Sequence, residues 1–276
     1  MSRTHSPSAE QSPATTSTTA RKKTGTVRLW AAAAWIALWQ VGSMIVSAAV
    51  PNGNLLLASP LATLARLAAL AATGEFWQTI AASSGRILGG FLVSCALAVC
   101  LAALSARFRR VREGLAPAVA VIKAVPVMSF IILTLLWVKP AALSPLIAGL
   151  MVFPPVYLNL LTGIDHTDRE LLEMARVFRV PFSRRLTGIY VPQTLPYFRS
   201  AVSLALGLCW KAGVAAEVLG VVKTSLGGQL YNAKIYFETA DLFAWTLVIV
   251  GLSAAFEWLA LRVLDAFAGK VGGAWK

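Results

Sequence analysis

Six long apolar stretches constrain this 276-residue chain more than any other feature of its sequence. A helix needs about 20 mostly apolar residues to cross the hydrocarbon core of a bilayer, and each stretch has that length. A helix also satisfies its own backbone hydrogen bonds, which lipid cannot do. The sequence therefore predicts an all-α, polytopic membrane protein with six transmembrane helices. These helices are predicted over residues 29–50, 80–104, 115–138, 141–164, 198–222 and 242–263.

The composition agrees with a membrane environment, because 57% of the residues are hydrophobic and only 13% are charged. A formal net charge of +13 would also suit a nucleic-acid-binding protein. Such proteins carry their basic residues on a polar face, whereas here they form short clusters between apolar stretches. We therefore expect a lipid bilayer as the surroundings and no nucleic acid as a partner. The three cysteines lie inside apolar stretches without metal-ligand spacing, which favours neither zinc nor disulfides.

The basic clusters predict the orientation of the chain, since Lys and Arg in short connections favour the cytoplasmic side. They precede the first stretch and occupy the second-to-third and fourth-to-fifth connections. Both termini are therefore predicted to be cytoplasmic. Residues 1–25, rich in Ser, Thr and Pro, are predicted to be a disordered tail, and residues 26–276 a single transmembrane domain.

The loop of residues 166–192, between the fourth and fifth stretches, contains the most informative pattern. Thr167 to Glu170 has the form of a capping box, which predicts that a short helix begins there. Pro181 ends this helix, and a second amphipathic turn runs to Pro192. One apolar stripe of the first helix consists of Leu171, Ala175 and Phe178. The predicted helix, break and second helix would form a docking surface for another protein.

The same loop resembles one that is shared by the permease subunits of binding-protein-dependent ABC importers. That family's pattern is Glu-Ala-Ala, three residues, Gly, nine residues, Ile, one residue and Leu-Pro. At the same spacing this chain has Glu173, Ala175, Ile189 and Pro192, but Arg179 occupies the glycine position. A non-glycine residue with positive φ costs about 1 kcal/mol, so we expect the turn at Arg179 to differ locally.

The resemblance extends from the first stretch to about Phe267 and is greatest to nitrate, sulfonate and taurine importers. Supporting segments are residues 74–77, 84–89, 125–127 and 215–220. The resemblance implies a type I importer permease fold in the bacterial inner membrane and a small anionic or zwitterionic solute. It implies three kinds of protein partner: a second permease copy as a homodimer, two ATP-binding cassette ATPase subunits and an extracytoplasmic solute-binding protein. It implies no enzymatic activity or cofactor in this chain, because ATP and Mg bind the partner ATPase.

The resemblance also implies roles for individual residues of the loop. Its first helix would sit in a groove of the ATPase, with Glu173 as the main polar contact and Arg176 and Arg179 as charged neighbours. The face seated on the transmembrane helices would be Leu171, Ala175 and Phe178. The implied ATPase-coupling residues are Glu173, Ala175, Arg176, Arg179, Ile189 and Pro192.

Lys211 lies near the middle of the fifth stretch, where an unpaired ammonium costs about 3 kcal/mol on insertion scales. One hypothesis places Lys211 in the substrate pathway with Glu217 and Trp210, where it would attract an anionic group. The other pairs Lys211 with Glu217, in this chain or in a second copy, so that it holds the helices together. Both hypotheses remain open. A stripe of small residues beside them predicts close helix packing: Ala212, Ala216 and Gly220.

Two other classes of membrane protein fit the sequence less well. An ion-gradient-driven secondary transporter would account for six spans and an intramembrane lysine, but it gives no reason for the spacing from Glu173 to Pro192. An intramembrane enzyme would need clustered His, Asp or Glu at membrane depth. Only Lys211, Glu217 and Glu257 qualify, so this class has little support.

Overall fold

The computed structural model describes residues 29–51 and 53–273, and all the regular secondary structure in these ranges is helical. The predicted disordered tail, residues 1–25, lies outside them. A 3₁₀ turn occupies Gly53–Leu55 and a π-helical stretch occupies Leu186–Tyr190. In chain order the α-helices are α1 (Leu29–Ala49), α2 (Pro60–Ala71), α3 (Gly74–Arg107), α4 (Arg109–Ala124), α5 (Val127–Thr134), α6 (Pro140–Asp165), α7 (Arg169–Val177), α8 (Phe182–Arg185), α9 (Val191–Leu219), α10 (Leu226–Ile235) and α11 (Thr239–Gly273).

Four helices of the described chain are long and apolar enough to cross a bilayer. They are α3, α6, the continuous helix Phe182–Leu219 and most of α11. The bent pair α4 and α5 provides a fifth span if it is counted as one element. Helix α1 is apolar over the shorter segment Ala33–Ala49. The all-helical, multi-pass architecture is confirmed, whereas the count of six stays a prediction.

The third predicted stretch is not one straight helix. Helix α4 ends at Ala124, α5 begins at Val127, and the two are bent by 101°. Val125 between them is extended, with φ −78° and ψ 131°. The ring of Pro126 disfavours helical geometry in the preceding residue, which is why the helix stops here. The predicted stretch over residues 115–138 is thus a broken element, with its interruption at Pro126.

Helix α6 lies between α3 and α9 and packs closely against both. A Cβ atom on Gly90 would lie 2.1 Å from the carbonyl oxygen of Pro145, so glycine is required for this approach of α3 to α6. The small-residue stripe of α9 contributes to the same packing, because Ala212 and Ala216 are buried beside Leu143. These small residues bring helices together inside one subunit.

The fifth predicted stretch begins too late. The helix that contains it runs without interruption from Phe182 to Leu219 and includes the π-helical stretch and α9. Pro192 and Pro196 lie within its path but do not end it. A proline removes one amide donor, and local π geometry can absorb the change. Here the amide of Val191 bonds to the carbonyl of Leu186, a five-residue step. The loop of residues 166–192 is thus joined directly to the long helix.

Candidate functional site

Helix α7 is the short loop helix that the sequence predicts, but its cap differs from the prediction. The carboxylate of Asp168 accepts hydrogen bonds from the amides of Glu170, at 2.8 Å, and Leu171, at 3.4 Å. The hydroxyl of Thr167 instead donates to the carbonyl of Gly163 at 3.3 Å. The capping-box assignment to Thr167 is therefore wrong, because the backbone and hydroxyl of Thr167 bond back to the end of α6.

The end of α7 keeps the geometry of a glycine turn without a glycine. Arg179 has φ 52°, in the left-handed region. The amide of Arg179 donates to the carbonyl of Arg176 at 3.0 Å, and the amide of Val180 donates to the carbonyl of Ala175 at 2.9 Å. This pair of bonds defines a Schellman motif, which satisfies the carbonyls at the helix end. The expected local difference at Arg179 is wrong: the turn is retained, at a conformational cost of about 1 kcal/mol.

Helix α7 is attached to the rest of the chain at two points. The side chain of Ala175 is only 1% exposed. The backbone amide of Asp168 donates to the side-chain carbonyl of Gln193, in the first turn of α9, at 2.8 Å. The prediction that Leu171 and Phe178 also seat α7 on the membrane helices is wrong, since both are exposed, Phe178 by 75%. Of the predicted apolar stripe, only Ala175 is buried.

The outer surface of this loop combines free charges with exposed apolar side chains. Glu173, Arg176 and Arg179 are exposed, and none of the ion pairs formed by described residues includes them. Ile189 and Pro192 are half-buried in the helix that follows. Exposed apolar neighbours are Met174, Val177, Phe178, Phe182 and Leu186. Several exposed apolar side chains beside charged ones are typical of a protein-protein interaction site.

A buried ion pair lies at the opposite end of α9, and the sequence reasoning missed it. Glu217 is fully buried, and one of its carboxylate oxygens lies 3.2 Å from a guanidinium nitrogen of Arg86 on α3. The hydroxyl of Ser83 donates to the other oxygen at 2.8 Å, and the amide of Gly227 donates to it at 3.2 Å. The alternative that Glu217 pairs with Lys211 of the same chain is therefore wrong, because the carboxylate points towards α3.

This cluster fixes the connection between α9 and α10. The amide of Leu226 donates to the hydroxyl of Ser83 at 2.8 Å, and Arg86 donates to the carbonyl of Thr224 at 3.0 Å. We call the cluster of Ser83, Arg86, Glu217, Leu226 and Gly227 the outer clasp. A carboxylate buried inside an apolar helix needs a charged partner, and Arg86 is the basic residue of the segment 84–89. The need of Glu217 for a charged partner is the signal in the sequence that points to this ion pair.

The three predicted pathway residues do not come together. Trp210 is 1% exposed and stacks on Phe256, with ring centroids 5.6 Å apart. Glu217 belongs to the outer clasp, whereas Lys211 is exposed on the surface of the subunit. Only Lys211 is thus placed where a solute outside the single chain could meet it. Within the ranges that the structure describes, no three His, Cys, Asp or Glu residues form a group that could hold a metal ion.

Comparison with known proteins agrees with this architecture. Residues 97–271 match the family described as binding-protein-dependent transport system inner membrane component. A Bacillus subtilis permease protein named for aliphatic sulfonates transport is 29% identical over 245 residues, which cover 86% of each chain. An Escherichia coli protein of the same name is 28% identical, with 83% of this chain and 86% of the relative covered. The riboflavin transport system permease protein of Chloroflexus aurantiacus is 28% identical over 82% of this chain and 86% of its own length. The chain therefore belongs to the family of inner membrane components of binding-protein-dependent transport systems, the permeases of ABC importers.

Proposed function

We propose that this permease works with a second copy of itself, ATP-binding cassette ATPase subunits and an extracytoplasmic solute-binding protein to import a small anionic or zwitterionic solute. ATP and Mg would bind the ATPase and not this chain. The observation that carries the proposal is the exposed loop helix α7, whose charged residues lack ion-pair partners in the described part of the chain. An ion-gradient-driven transporter would have no use for such a surface.

The attachment of α7 suggests how the ATPase would act on the membrane helices. Glu173, Arg176 and Arg179 would contact the ATPase, while Ala175 and the Asp168–Gln193 hydrogen bond hold α7 against α9. Closure of the ATPase dimer would move α7 and tilt the continuous helix Phe182–Leu219 with it. A ligand shifts a conformational equilibrium only through contacts that differ between the two states. Contacts of Glu173 that form on closure would supply that difference.

The proposed orientation places both termini and α7 in the cytoplasm. The start of α4 is strongly basic, with Arg109, Arg110 and Arg112 in its first turn. Arg112 forms an ion pair of 2.9 Å with Asp165 at the end of α6, so this cluster lies at the same end of the molecule as α7. Basic residues in short connections favour the cytoplasmic face of a bacterial membrane. The outer clasp would then lie near the opposite face.

The charge of Lys211 supports an anionic solute. Two of the relatives are named for aliphatic sulfonates, which are anions, and a third for riboflavin, whose flavin ring is uncharged at neutral pH. An exposed ammonium at membrane depth is costly in lipid but favourable beside an anion in a water-filled pathway. Lys211 therefore favours a sulfonate-like solute over a neutral one.

The test of ATPase coupling is Glu173→Ala. Loss of a charge-assisted contact of about 1.5–3 kcal/mol should reduce co-purification of the ATPase with tagged permease by roughly tenfold or more. Uptake of radiolabelled ethanesulfonate into cells should fall in parallel. Glu113→Ala is the matched control, because Glu113 is an exposed glutamate on the same side of the molecule that pairs with Arg109 inside α4. Unchanged ATPase binding and uptake in the Glu173 variant would show that α7 does not couple the two proteins.

A further inference from the structure

A cavity of about 420 Å³ opens where α4 breaks from α5 and faces α6 and α9. Its walls include Lys123 and Val125 at the break, Pro155 and Asn159 of α6, and Leu208 of α9. Pockets for small molecules have volumes of roughly 300–1,000 Å³, so this cavity has room for a small solute. The part of its lining that the structure describes contains a basic residue and no acidic one.

Lys123 lies at the break, within the third predicted apolar stretch. It occupies the last turn of α4, which Pro126 prevents from continuing. A helical rise of 1.5 Å per residue places it about 21 Å along α4 from the basic start of the helix at Arg109. An ammonium inside the hydrocarbon core costs about 3 kcal/mol on insertion scales. That cost is avoided if Lys123 faces water and an anion.

The α6 wall adds further polar groups. The side-chain amide of Asn159 donates to the carbonyl of Pro155 at 2.8 Å. An asparagine amide has two hydrogens, so a second donor remains for a ligand. Pro154 and Pro155 also lack amide hydrogens, which leaves the carbonyls of the preceding turn without their usual helical donors. Backbone of this kind is tolerated at membrane depth where it lines a water-filled cavity.

The cavity lies on the same face of α9 as Lys211. Leu204 and Leu208 line the cavity. Lys211 lies seven residues after Leu204 and three residues after Leu208, so all three side chains lie on one face of the helix. Lys211 is therefore about 4.5 Å farther along the helix than Leu208, in the direction of the outer clasp. Two exposed lysines, on α4 and α9, thus border one surface of the subunit.

We propose that the cavity at the α4–α5 break is an anion-binding station of the transport pathway. Lys123 supplies the positive charge, Asn159 donates a hydrogen bond, and Lys211 supplies a second charge nearer the outer face. The ligand class is a small solute with a sulfonate or carboxylate group. This inference rests on the proposed importer function and adds to it the site that the solute occupies within the membrane.

The test measures the charge preference of the cavity with thiol reagents. Leu208→Cys places a thiol in the cavity wall, in a background with Cys100→Ala, because Cys100 is exposed while Cys95 and Cys209 are buried. Membrane vesicles that contain the complete transporter are treated with the anionic 2-sulfonatoethyl or the cationic 2-(trimethylammonium)ethyl methanethiosulfonate. The ratio of the two reaction rates, normalised to a free thiol, reports the local potential.

We expect Lys123→Gln to lower the anionic-to-cationic rate ratio on the order of fivefold, as a nearby unit charge in a medium of intermediate dielectric constant would. Lys123→Arg should preserve the ratio, which separates loss of charge from misfolding. Lys139→Gln removes a lysine that lies at the start of α6 outside the cavity, and it should also preserve the ratio.

Two outcomes would overturn the proposal: a thiol at position 208 that reacts with neither reagent, or a ratio that Lys123→Gln leaves unchanged. The labelling requires no ATP hydrolysis, so it remains readable if the coupling assignment of Glu173 fails. Conversely, a normal ratio in Lys123→Gln alongside uptake that depends on Glu173 would reject the anion station and leave the importer function intact.

Discussion

The two ends of the helix Phe182–Leu219 differ in whether the glutamate beside them is exposed or buried. At its Phe182 end, the neighbouring helix α7 exposes Glu173, while Ala175 is buried and the amide of Asp168 bonds to Gln193. At the other end, Glu217 is fully buried and every contact it makes is with a donor of the same chain. A charge that is satisfied internally holds a structure together, whereas an exposed charge beside apolar residues is available to a partner. Glu217 is therefore a structural residue, whereas Glu173 is available for a contact outside the chain.

The largest effect is expected from Glu217→Ala, which would remove the centre of the outer clasp. Loss of one member of a buried ion pair costs about 3–5 kcal/mol, because Arg86 would keep its charge without a counterion. We expect a strongly lowered thermal unfolding midpoint of the detergent-solubilised permease. The control is Glu75→Ala, which changes an exposed glutamate in the first turn of α3.

A double replacement sharpens the same comparison. With both Arg86 and Glu217 changed to Met, neither charge is left unpaired, so much of the loss should be recovered. If Glu217→Ala alone leaves the unfolding midpoint unchanged, the outer clasp does not stabilise the fold and the contrast between the two ends disappears.

A smaller effect is expected at the turn after α9. Val221 has φ 46°, and its amide and that of Val222 bond back to the carbonyls of Val218 and Glu217, as in the turn after α7. A β-branched residue is strained in this region, by about 1–2 kcal/mol. Val221→Gly should therefore raise the unfolding midpoint in a thermal melt. Val221→Ala is the control, since it removes the side chain but keeps the unfavourable φ, and an equal gain from both variants would refute the explanation.

The smallest effect is expected from Asp168→Ala, which removes the cap of α7. Loss of an N-cap costs about 1 kcal/mol, so amide hydrogen exchange across α7 should accelerate about fivefold while the global unfolding midpoint hardly changes. Asp168→Asn keeps a capping oxygen and should exchange at nearly the original rate. Slow exchange in the alanine variant would mean that contacts with the bundle, and not the cap, hold α7 in place.

The sequence predicts the long helices and the loop well because both depend on local patterns. Apolar length marks the membrane helices, and the spacing from Glu173 to Pro192 marks the loop. The cap of α7 was misassigned because Thr167 and Asp168 can both cap a helix, and only the path of α6 decides between them. The partner of Glu217 depends on how α3 packs against α9, which no local pattern contains.

Prolines illustrate the same limit. Pro126 ends α4, whereas Pro192 and Pro196 lie inside a helix that continues. The local chemistry of these residues is identical, since each lacks an amide hydrogen. The difference lies in the surroundings, where the π-helical stretch before Val191 keeps the helix intact and the break at Val125 borders a cavity. Sequence alone does not distinguish a proline within a helix that continues from a proline at which the helix ends beside a cavity.

The crossing of α9 over α3 at Gly213 divides the long helix into two arms. A Cβ atom at Gly213 would lie 2.7 Å from the side chain of Ile87, so glycine allows α9 to pass close to α3 there. The arm from Phe182 to Gly213 is about 46 Å long and the arm from Gly213 to Leu219 about 9 Å, at 1.5 Å per residue. A rotation about this crossing would move the Phe182 end about five times as far as the Leu219 end. A wide swing of the first arm would become a short movement at the outer clasp.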